Sequence, residues 1–470
     1  MSSSTGDLTL HRAFVALGSN LGDRVAMIEE ACREMEARGI RIKRTSSLFE
    51  TAPMYVMDQG AFLNGACEVE TSKSPMELLD TLQSIEIDMG RHKVVDKGPR
   101  NIDLDILLYG NGEFSNERLT IPHKLMLERE FVLRPLCQLI PQECPLGPLQ
   151  TGTYTSHLND LPPSDPSPTV MTPMPAGLPP ITPTYPRRST LLMAVLNVTP
   201  DSFSDGGAHS STDPAALLET VKAYIDAGVT IIDVGGESTR PNADPVTESE
   251  ELARVIPAIK LIRSLPEANK VAISIDTYRA TVAETAVNAG ADIINDISAG
   301  LLDPDMLSTM ARLQKTVILS HTRGTPKTMN KLTKYPDGVL AGIKAELSER
   351  IRAAEDAGVR RWRIIADPGV GFAKTEDQNL AILRHLNELR QDEGLQYTPW
   401  LVGVSRKGFV GHITGVKRAD ERTWGTAAAI TAAISSGADI VRIHDVKEMA
   451  QVTRMADAIF RCDLGNQMAD

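Results

Sequence analysis

Cysteine is scarce in this chain: five residues, Cys32, Cys67, Cys137, Cys144 and Cys462, odd in number and widely scattered. That excludes a disulfide framework, and the lack of any CxxC pair excludes the common zinc patterns; reduced thiols in an intracellular protein fit better. Long apolar runs are missing as well. The longest, such as residues 191–196, fall far short of the roughly 18–20 residues of a membrane span, and the opening MSSSTGDLTLHR has no apolar signal core. The expectation is a chain with no membrane span, cytoplasmic, or mitochondrial if a leader precedes this start. Positive charge is short too. Lys and Arg number 49 against 61 Asp and Glu, a net charge of −12, which argues against a nucleic-acid partner and confines anion binding to local sites. Neither a GxxxxGK[ST] loop nor the protein-kinase signature set occurs, so any nucleotide chemistry must use another scaffold.

What is present divides the chain. Its 470 residues suffice for two or three domains. Ten of the 26 residues from 161 to 186 are proline, a composition that forms neither helix interior nor central strand and predicts an extended, semi-rigid spacer. Downstream, eight β-branched apolar runs end in polar residues or glycine: LLMAVLNV, TIIDVGG, KVAISID, DIINDIS, TVILSH, RIIADPG, WLVGVS and DIVRIHD. Amphipathic or alanine-rich stretches separate them, and eight strand-then-helix units in about 280 residues is the arithmetic of a TIM (β/α)8 barrel. Upstream, Val25, Ile28, Cys32 and Met35 recur at helical spacing. Ser74, Pro75 and Glu77 supply an N-cap, a first-turn proline and a capping-box acid for a helix burying Leu78, Leu82, Ile85 and Met89. With strands near residues 14–17, 67–70 and 102–109, this is a β-α-β-β-α-β alternation. The expected architecture is an α+β ferredoxin-like domain (residues 12–145), a Pro-rich linker (146–189) and an α/β TIM barrel (190–465).

Within GPRNIDLDILLYG, Asp103 and Asp105 lie two apart on a strand. Both carboxylates then leave one face, with Cα atoms ~6.5–7 Å apart, while Leu104, Ile106 and Leu108 face the core. A lone Asp-x-Asp is more often a solvated edge, but here a cationic loop of Arg91, His92, Lys93, Lys97 and Arg100 precedes it and suits a triphosphate. Such a carboxylate pair holds Mg2+ together with phosphate oxygens. These residues, with ALGSNLGDR, FLNGA, QSIEIDMGR and IPHKLMLEREFVLRPL, resemble the hydroxymethyl-dihydropterin pyrophosphokinases of folate biosynthesis over residues 12–145. The resemblance implies that Asp103 and Asp105 bind two Mg2+ ions. It implies further that Glu86, Arg91, Arg100, His123 and Arg129 contact or position ATP, with Arg91 and Arg100 catalytic, and that Asn64 and Phe131 hold the pterin.

In a TIM barrel the active site lies at the C-terminal ends of the strands. Here those ends carry Asn197, Asp233, Glu237, Asp276, Asn295, Asp296, His321, Asp367, Lys407, Arg442 and His444. Asp276, Asn295 and Asp367 suit the edge of a flat nitrogen heterocycle, which needs matched hydrogen-bond partners once buried. Arg442 and His444, two apart after the eighth strand, suit a phosphate. LNVTPDSFSDGG, DVGGESTRP, SIDT, NDIS, DPGVGF, GVSRKGF and RIHDV, in this order, resemble dihydropteroate synthase over residues 190–462. That resemblance implies pterin contacts from Asp276, Asn295, Asp367 and Lys407, and one Mg2+ at Asn197. Diphosphate would fall to Asn197, Arg240, Arg442 and His444, with Lys407, Arg442 and His444 catalytic. It also implies two closing loops, residues 199–207 and 237–241, with Phe203, Ser238, Thr239, Arg240, Pro241, Phe372 and Ser405 receiving para-aminobenzoate. Val370 and the run SHTRG at 320–324 depart from the aromatic and the methionines usual in relatives.

Together the resemblances imply a bifunctional transferase. ATP would pyrophosphorylate hydroxymethyl-dihydropterin, and the product would condense with para-aminobenzoate to give dihydropteroate and diphosphate. The expected partners are these small molecules and, by resemblance, a second copy of the chain through the barrel. One alternative is a methyltransferase-type pterin barrel, against which DSFSDGG and GESTRP stand. Another is a non-catalytic folate-binding scaffold, against which Asp103, Asp105, Asn197 and Lys407 stand. An aldolase module that often accompanies these domains in fungal chains is not expected in the 12 residues before Ala13.

Overall fold

The computed structural model describes residues 9–54, 58–91, 98–145, 151–175, 177–198, 214–237 and 246–461. The chain divides into two units. One holds the described residues up to Met171 together with Arg360–Trp362, and the other holds the rest.

The first unit is an antiparallel sheet with helices on both faces. Its strands are β1 (His11–Ser19), β2 (Arg41–Thr45), β3 (Leu48–Thr51), β4 (Phe62–Thr71), β5 (Asp103–Tyr109) and β8 (Thr169–Met171); β6 (Phe114–Ser115) and β7 (Thr120–Ile121) form a separate small pair. The order is β5-β1-β4-β3-β8, with β2 also on β4, the ferredoxin-like arrangement expected. Helices α1 (Arg24–Ala37) and α2 (Pro75–Asp88) cover one face, where Ile28, Cys32, Met35, Leu78, Leu82 and Ile85 pack with Leu17 and Leu104. Each such fully buried aliphatic side chain contributes about 1.5–3 kcal/mol. Ser74 and Glu77 close the expected capping box on α2. Helices α3 (Glu130–Leu139) and α4 (Tyr154–Asp160) cover the other face over Phe14, Ala66 and Leu107. Leu104 and Ile106 face the first layer as expected, but Leu108 joins the second, because the β1–β5 register shifts between Phe14 and Val15.

The second unit is a parallel barrel. Its strands are β9 (Leu191–Asn197), β10 (Ile231–Gly235), β11 (Ala272–Asp276), β12 (Ile293–Asp296), β13 (Thr316–Ser320), β14 (Ile364–Asp367), β15 (Leu401–Gly403) and β16 (Ile440–Ile443). The eight run in the order β14-β13-β12-β11-β10-β9-β16-β15, and a parallel bridge between Ala366 and Trp400 brings the ends together. Around them lie α5 (Pro214–Ala227), α6 (Glu248–Arg263), α7 (Ala280–Asn288), α8 (Met306–Leu313), α9 (Val339–Asp356), α10 (Glu376–Arg390), α11 (Gly408–Thr414), α12 (Thr423–Ser435) and α13 (Val446–Phe460). One apolar residue from each strand fills the barrel floor: Met193, Ile231, Ala272, Ile293, Ile318, Ile365, Leu401 and Ile440.

The stretch expected to be a featureless spacer has local structure. It contains α4 and the edge strand β8. Past β8, Thr172 pairs with Ile181, and Met174, Leu178 and Ile181 pack against the barrel floor. Prolines at chain edges are compatible with this, because the missing N–H is not needed there. Among the described residues no helix is long and apolar enough to cross a membrane, and Cys32, Cys67, Cys137 and Cys144 are unpaired.

Candidate active sites

On the sheet of the first unit, Asn64, Gly18 and Asp103 stand in register on β4, β1 and β5. A Cβ at Gly18 would lie 3.3 Å from Asn64 Oδ1 and 3.6 Å from the Asp103 Cβ, so glycine leaves the two flanking side chains room over a flat floor. Above it is a cleft of about 120 Å³ lined by Phe62, Asn64, Arg100, Asp103, Asp105, Arg129 and Phe131. Asn64 Nδ2 donates to Thr51 Oγ1 at 2.8 Å. Arg100 Cζ lies 5.3 Å from the Phe62 ring and Arg129 Cζ 5.8 Å from the Phe131 ring.

The acids and cations interlock. Asp103 accepts from Arg91 at 2.7 Å and from Arg100 at 3.0 Å. Arg91 also pairs with Glu86, whose Oε1 accepts the Leu104 N–H at 2.7 Å. Burial pushes Glu86 up to about 7 despite Arg91. Asp105 keeps an open edge, yet the cleft walls around its carboxyl, and then the Asp103 charge, push it up to about 6. His123, fixed by its N–H on Leu107 O at 3.0 Å, is held below the usual imidazole range by burial and then by Arg129. Two carboxylates on one face are hard oxygen donors of the kind Mg2+ takes with phosphate. Among the described residues no group of three or more His, Cys, Asp or Glu side chains would cage a metal without such added oxygens. The Arg100 Nε is buried without a partner, a donor left for an anion.

In the second unit the strand ends surround a cleft of about 750 Å³. Asn197, Asp276, Asn295, Asp367, Phe372, Ser405, Lys407, Arg442 and His444 all line it. Arg442 is held by two buried acids, Nε on Asp233 Oδ2 at 2.7 Å and Nη2 on Asp276 Oδ2 at 2.6 Å. Asn295 Nδ2 donates to the same Asp233 at 3.2 Å. Burial pushes Asp276 up to about 7 despite Arg442, and its Oδ1 is buried without a partner. An acceptor in that state fits a ligand donor. Asp367 accepts from Gly369 N at 2.7 Å and Ser320 Oγ at 3.3 Å. Lys407 donates to Val370 O and sits 4.5 Å over the Phe372 ring, and burial lowers it to about 8. His444 Nδ1 is 3.0 Å from Ser405 Oγ. The amide oxygen of Asn197 is one neutral ligand that fits Mg2+ only if a phosphate supplies the others.

Three of the polar strand ends do other work. Asp296 turns back onto Ser298 and Gly300, capping its own loop. His321 faces Glu346 and Lys374 and does not line the cleft. Glu237 lines the cleft but is paired with Arg279 at 2.6 Å. Phe203, Ser238, Thr239, Arg240 and Pro241 of the expected closing loops, and His92, Lys93 and Lys97 of the cationic loop, lie outside the described residues. Sequence reasoning missed Phe62, although FLNGA contains it, and Asn20, whose Oδ1 accepts the Arg100 N–H at 2.8 Å. It also missed Lys374, seven residues past Asp367.

Comparison with known proteins gives a family for each unit. Residues 14–141 match the family model described as 7,8-dihydro-6-hydroxymethylpterin-pyrophosphokinase, and residues 193–444 match the one described as pterin binding enzyme. Over 95% of its length the chain is 44% identical to the folic acid synthesis protein fol1 of Pneumocystis carinii, and it spans 60% of that relative. Over 96% of its length it is 39% identical to the mitochondrial folate synthesis bifunctional protein of Arabidopsis thaliana, and it covers 84% of that protein. The fold matches a crystal structure of Plasmodium falciparum HPPK-DHPS with pteroate, with a TM-score of 0.81 and 23% identity over 98% of this chain and 97% of that one.

Proposed function

The chain belongs to the folate synthesis bifunctional family, a pyrophosphokinase joined to a pterin binding enzyme, and we propose that its two clefts act in turn on one pterin. The observation that carries this is the convergence of Asp276, Asn295, Asp367, Lys407 and Arg442, from five different strand ends, on one deep cleft. The proposed domains are residues 12–145 and 190–465, joined by 146–189.

In the first cleft the hydroxymethyl oxygen of the dihydropterin attacks the β-phosphorus of ATP, and AMP leaves. Asn64 and Phe131 hold the pterin, while Arg91, Arg100, His123 and Arg129 hold the nucleotide, with Glu86 fixing Arg91. Both families are generally Mg2+-dependent. Asp103 and Asp105 would hold two Mg2+ ions with the phosphates, and Asn197 one with the diphosphate; bound there, the ions supply charge neutralisation for the transferring and departing phosphoryl groups.

In the barrel, Asp276, Asn295, Asp367 and Lys407 bind the pterin edge. Arg442 and His444 receive the departing diphosphate as the C–O bond breaks. The amine of para-aminobenzoate forms the new C–N bond at that carbon and gives up a proton. Phe372, Ser405 and the loops carrying Phe203, Ser238, Thr239, Arg240 and Pro241 enclose para-aminobenzoate and keep water from the carbon.

A second copy is the proposed partner, docking on α12 and α13, which expose Trp424 (84% exposed), Met455, Ile459 and Phe460. Supplying ATP, hydroxymethyl-dihydropterin and para-aminobenzoate should yield dihydropteroate and AMP in equal amounts. Formation of ADP in place of AMP would sink the reading.

A further inference from the structure

The loop after β14, DPGVGFAK, carries Asp367 and Phe372 into the barrel cleft through left-handed turns that suit Gly369 and Gly371 but not Ala373. Ala373 holds φ at 51°, left-handed backbone that alanine rarely adopts. At Gly369 (φ 65°) a Cβ would lie 1.8 Å from His321 O. The backbone gives the loop one internal bond, Phe372 N–H to Gly369 O at 3.0 Å, and something further holds Ala373.

That something is a closed circuit of side chains. Lys374 Nζ, buried, reaches back into its own loop and donates to Gly369 O and Phe372 O, each at 2.9 Å. Its third contact is His321 Nδ1 at 3.0 Å. Since an ammonium has no acceptor, His321 accepts there and carries its proton on Nε2, which donates to Glu346 at 3.1 Å. Glu346 is gripped by Arg323 at 2.9 Å, and the Arg323 guanidinium stacks 3.8 Å over the Tyr335 ring. Tyr335 OH closes the circuit by donating to Ala373 O at 3.1 Å, the residue next to Lys374.

We infer that Lys374 is a positioning residue for condensation, holding through this circuit the loop that presents Phe372 to para-aminobenzoate. The inference rests on the function proposed for the barrel. Lys374 itself lines the cleft, but its amine is spent on Gly369 O and Phe372 O, so it acts through the loop and not on the reacting atoms. A slack loop must be ordered at binding, and that cost falls on ground state and transition state alike.

The test uses the full chain supplied with hydroxymethyl-dihydropterin diphosphate, so that only the barrel is assayed. Lys374→Met keeps side-chain length and removes all three donors. The expected result is a KM for para-aminobenzoate raised about tenfold with kcat within about threefold. Tyr335→Phe removes only the bond to Ala373 O and should raise that KM about threefold. Calorimetric unfolding of the same preparations, with the barrel transition kept, reports a folded second unit, and pyrophosphokinase turnover a folded first one. An unchanged KM in both variants overturns the inference, as does loss of kcat at unchanged KM in Lys374→Met. If Lys374→Met does not fold, Tyr335→Phe decides by the same criterion. A wild-type chain that makes no dihydropteroate would instead refute the function proposed for the barrel.

Discussion

The two clefts solve charge burial in opposite ways. On the first sheet, Asp103 meets Arg91 and Arg100 at a cleft of about 120 Å³, and Arg91 also meets Glu86. In the barrel, Arg442 is clamped between Asp233 and Asp276 at the base of a cleft of about 750 Å³. Removing either arginine from the first leaves Asp103 the other; removing Arg442 from the second strands a charge in the interior. The first array is thus partly redundant, and the second is fixed.

Arg442→Met should therefore be the most damaging change. It leaves Asp276 without its cation and Asp233 with only Asn295, costing about 3–5 kcal/mol of barrel stability and about 100–1,000-fold in condensation. Arg91→Met should slow AMP formation about 100-fold, yet leave the first unit's unfolding midpoint nearly unchanged, because Arg100 still holds Asp103. Equal losses of stability at the two sites, read by calorimetry, would erase the contrast.

A smaller effect separates the two units by pH. Burial lowers His321 to about 4 from an ordinary 6.5. Between those values the unfolded chain binds a proton that the folded chain refuses, so this group makes stability rise with pH through that window. Asp276, raised to about 7, acts in the opposite direction, so the difference between wild type and His321→Gln is the diagnostic quantity. As pH falls from 6.5 to 4, wild type should lose up to about 3 kcal/mol relative to the variant. A flat difference would mean that His321 is not neutral in the fold.

Phe62→Leu, which takes the ring from beside Arg100, should raise the KM for ATP about threefold, the range of an exposed cation–π contact. Ser74→Ala, on the α2 cap and lining neither cleft, should cost about 1 kcal/mol and leave both turnovers intact. A turnover change there would couple the cap to a site with which it shares no described contact.

The eight barrel strands were legible because each apolar run ends in polar residues or glycine, most of the polar ones lining the cleft, so one pattern reports much of both fold and site. The Asp103 and Asp105 face followed from strand alternation alone. Lys374 was not legible: at the start of α10 it looks like a solvated lysine, and only the left-handed loop folds its amine inward. Asp296 and His321 occupy strand ends like the rest, and the sequence has no signal for whether such a residue turns into the cleft or onto its own loop. Leu108 escaped because a bulge at Leu107 in its own strand reverses its face, and α4 and β8 because proline content obscures short elements at a sheet edge.

The most direct measurement compares Asp105→Ala and Lys407→Ala in the coupled synthesis of dihydropteroate, with and without added hydroxymethyl-dihydropterin diphosphate. Both variants should be inactive from ATP, and the added ester should restore wild-type synthesis to Asp105→Ala alone. Failure of the ester to restore that variant, or rescue of Lys407→Ala by it, would contradict two sites acting in turn on one pterin.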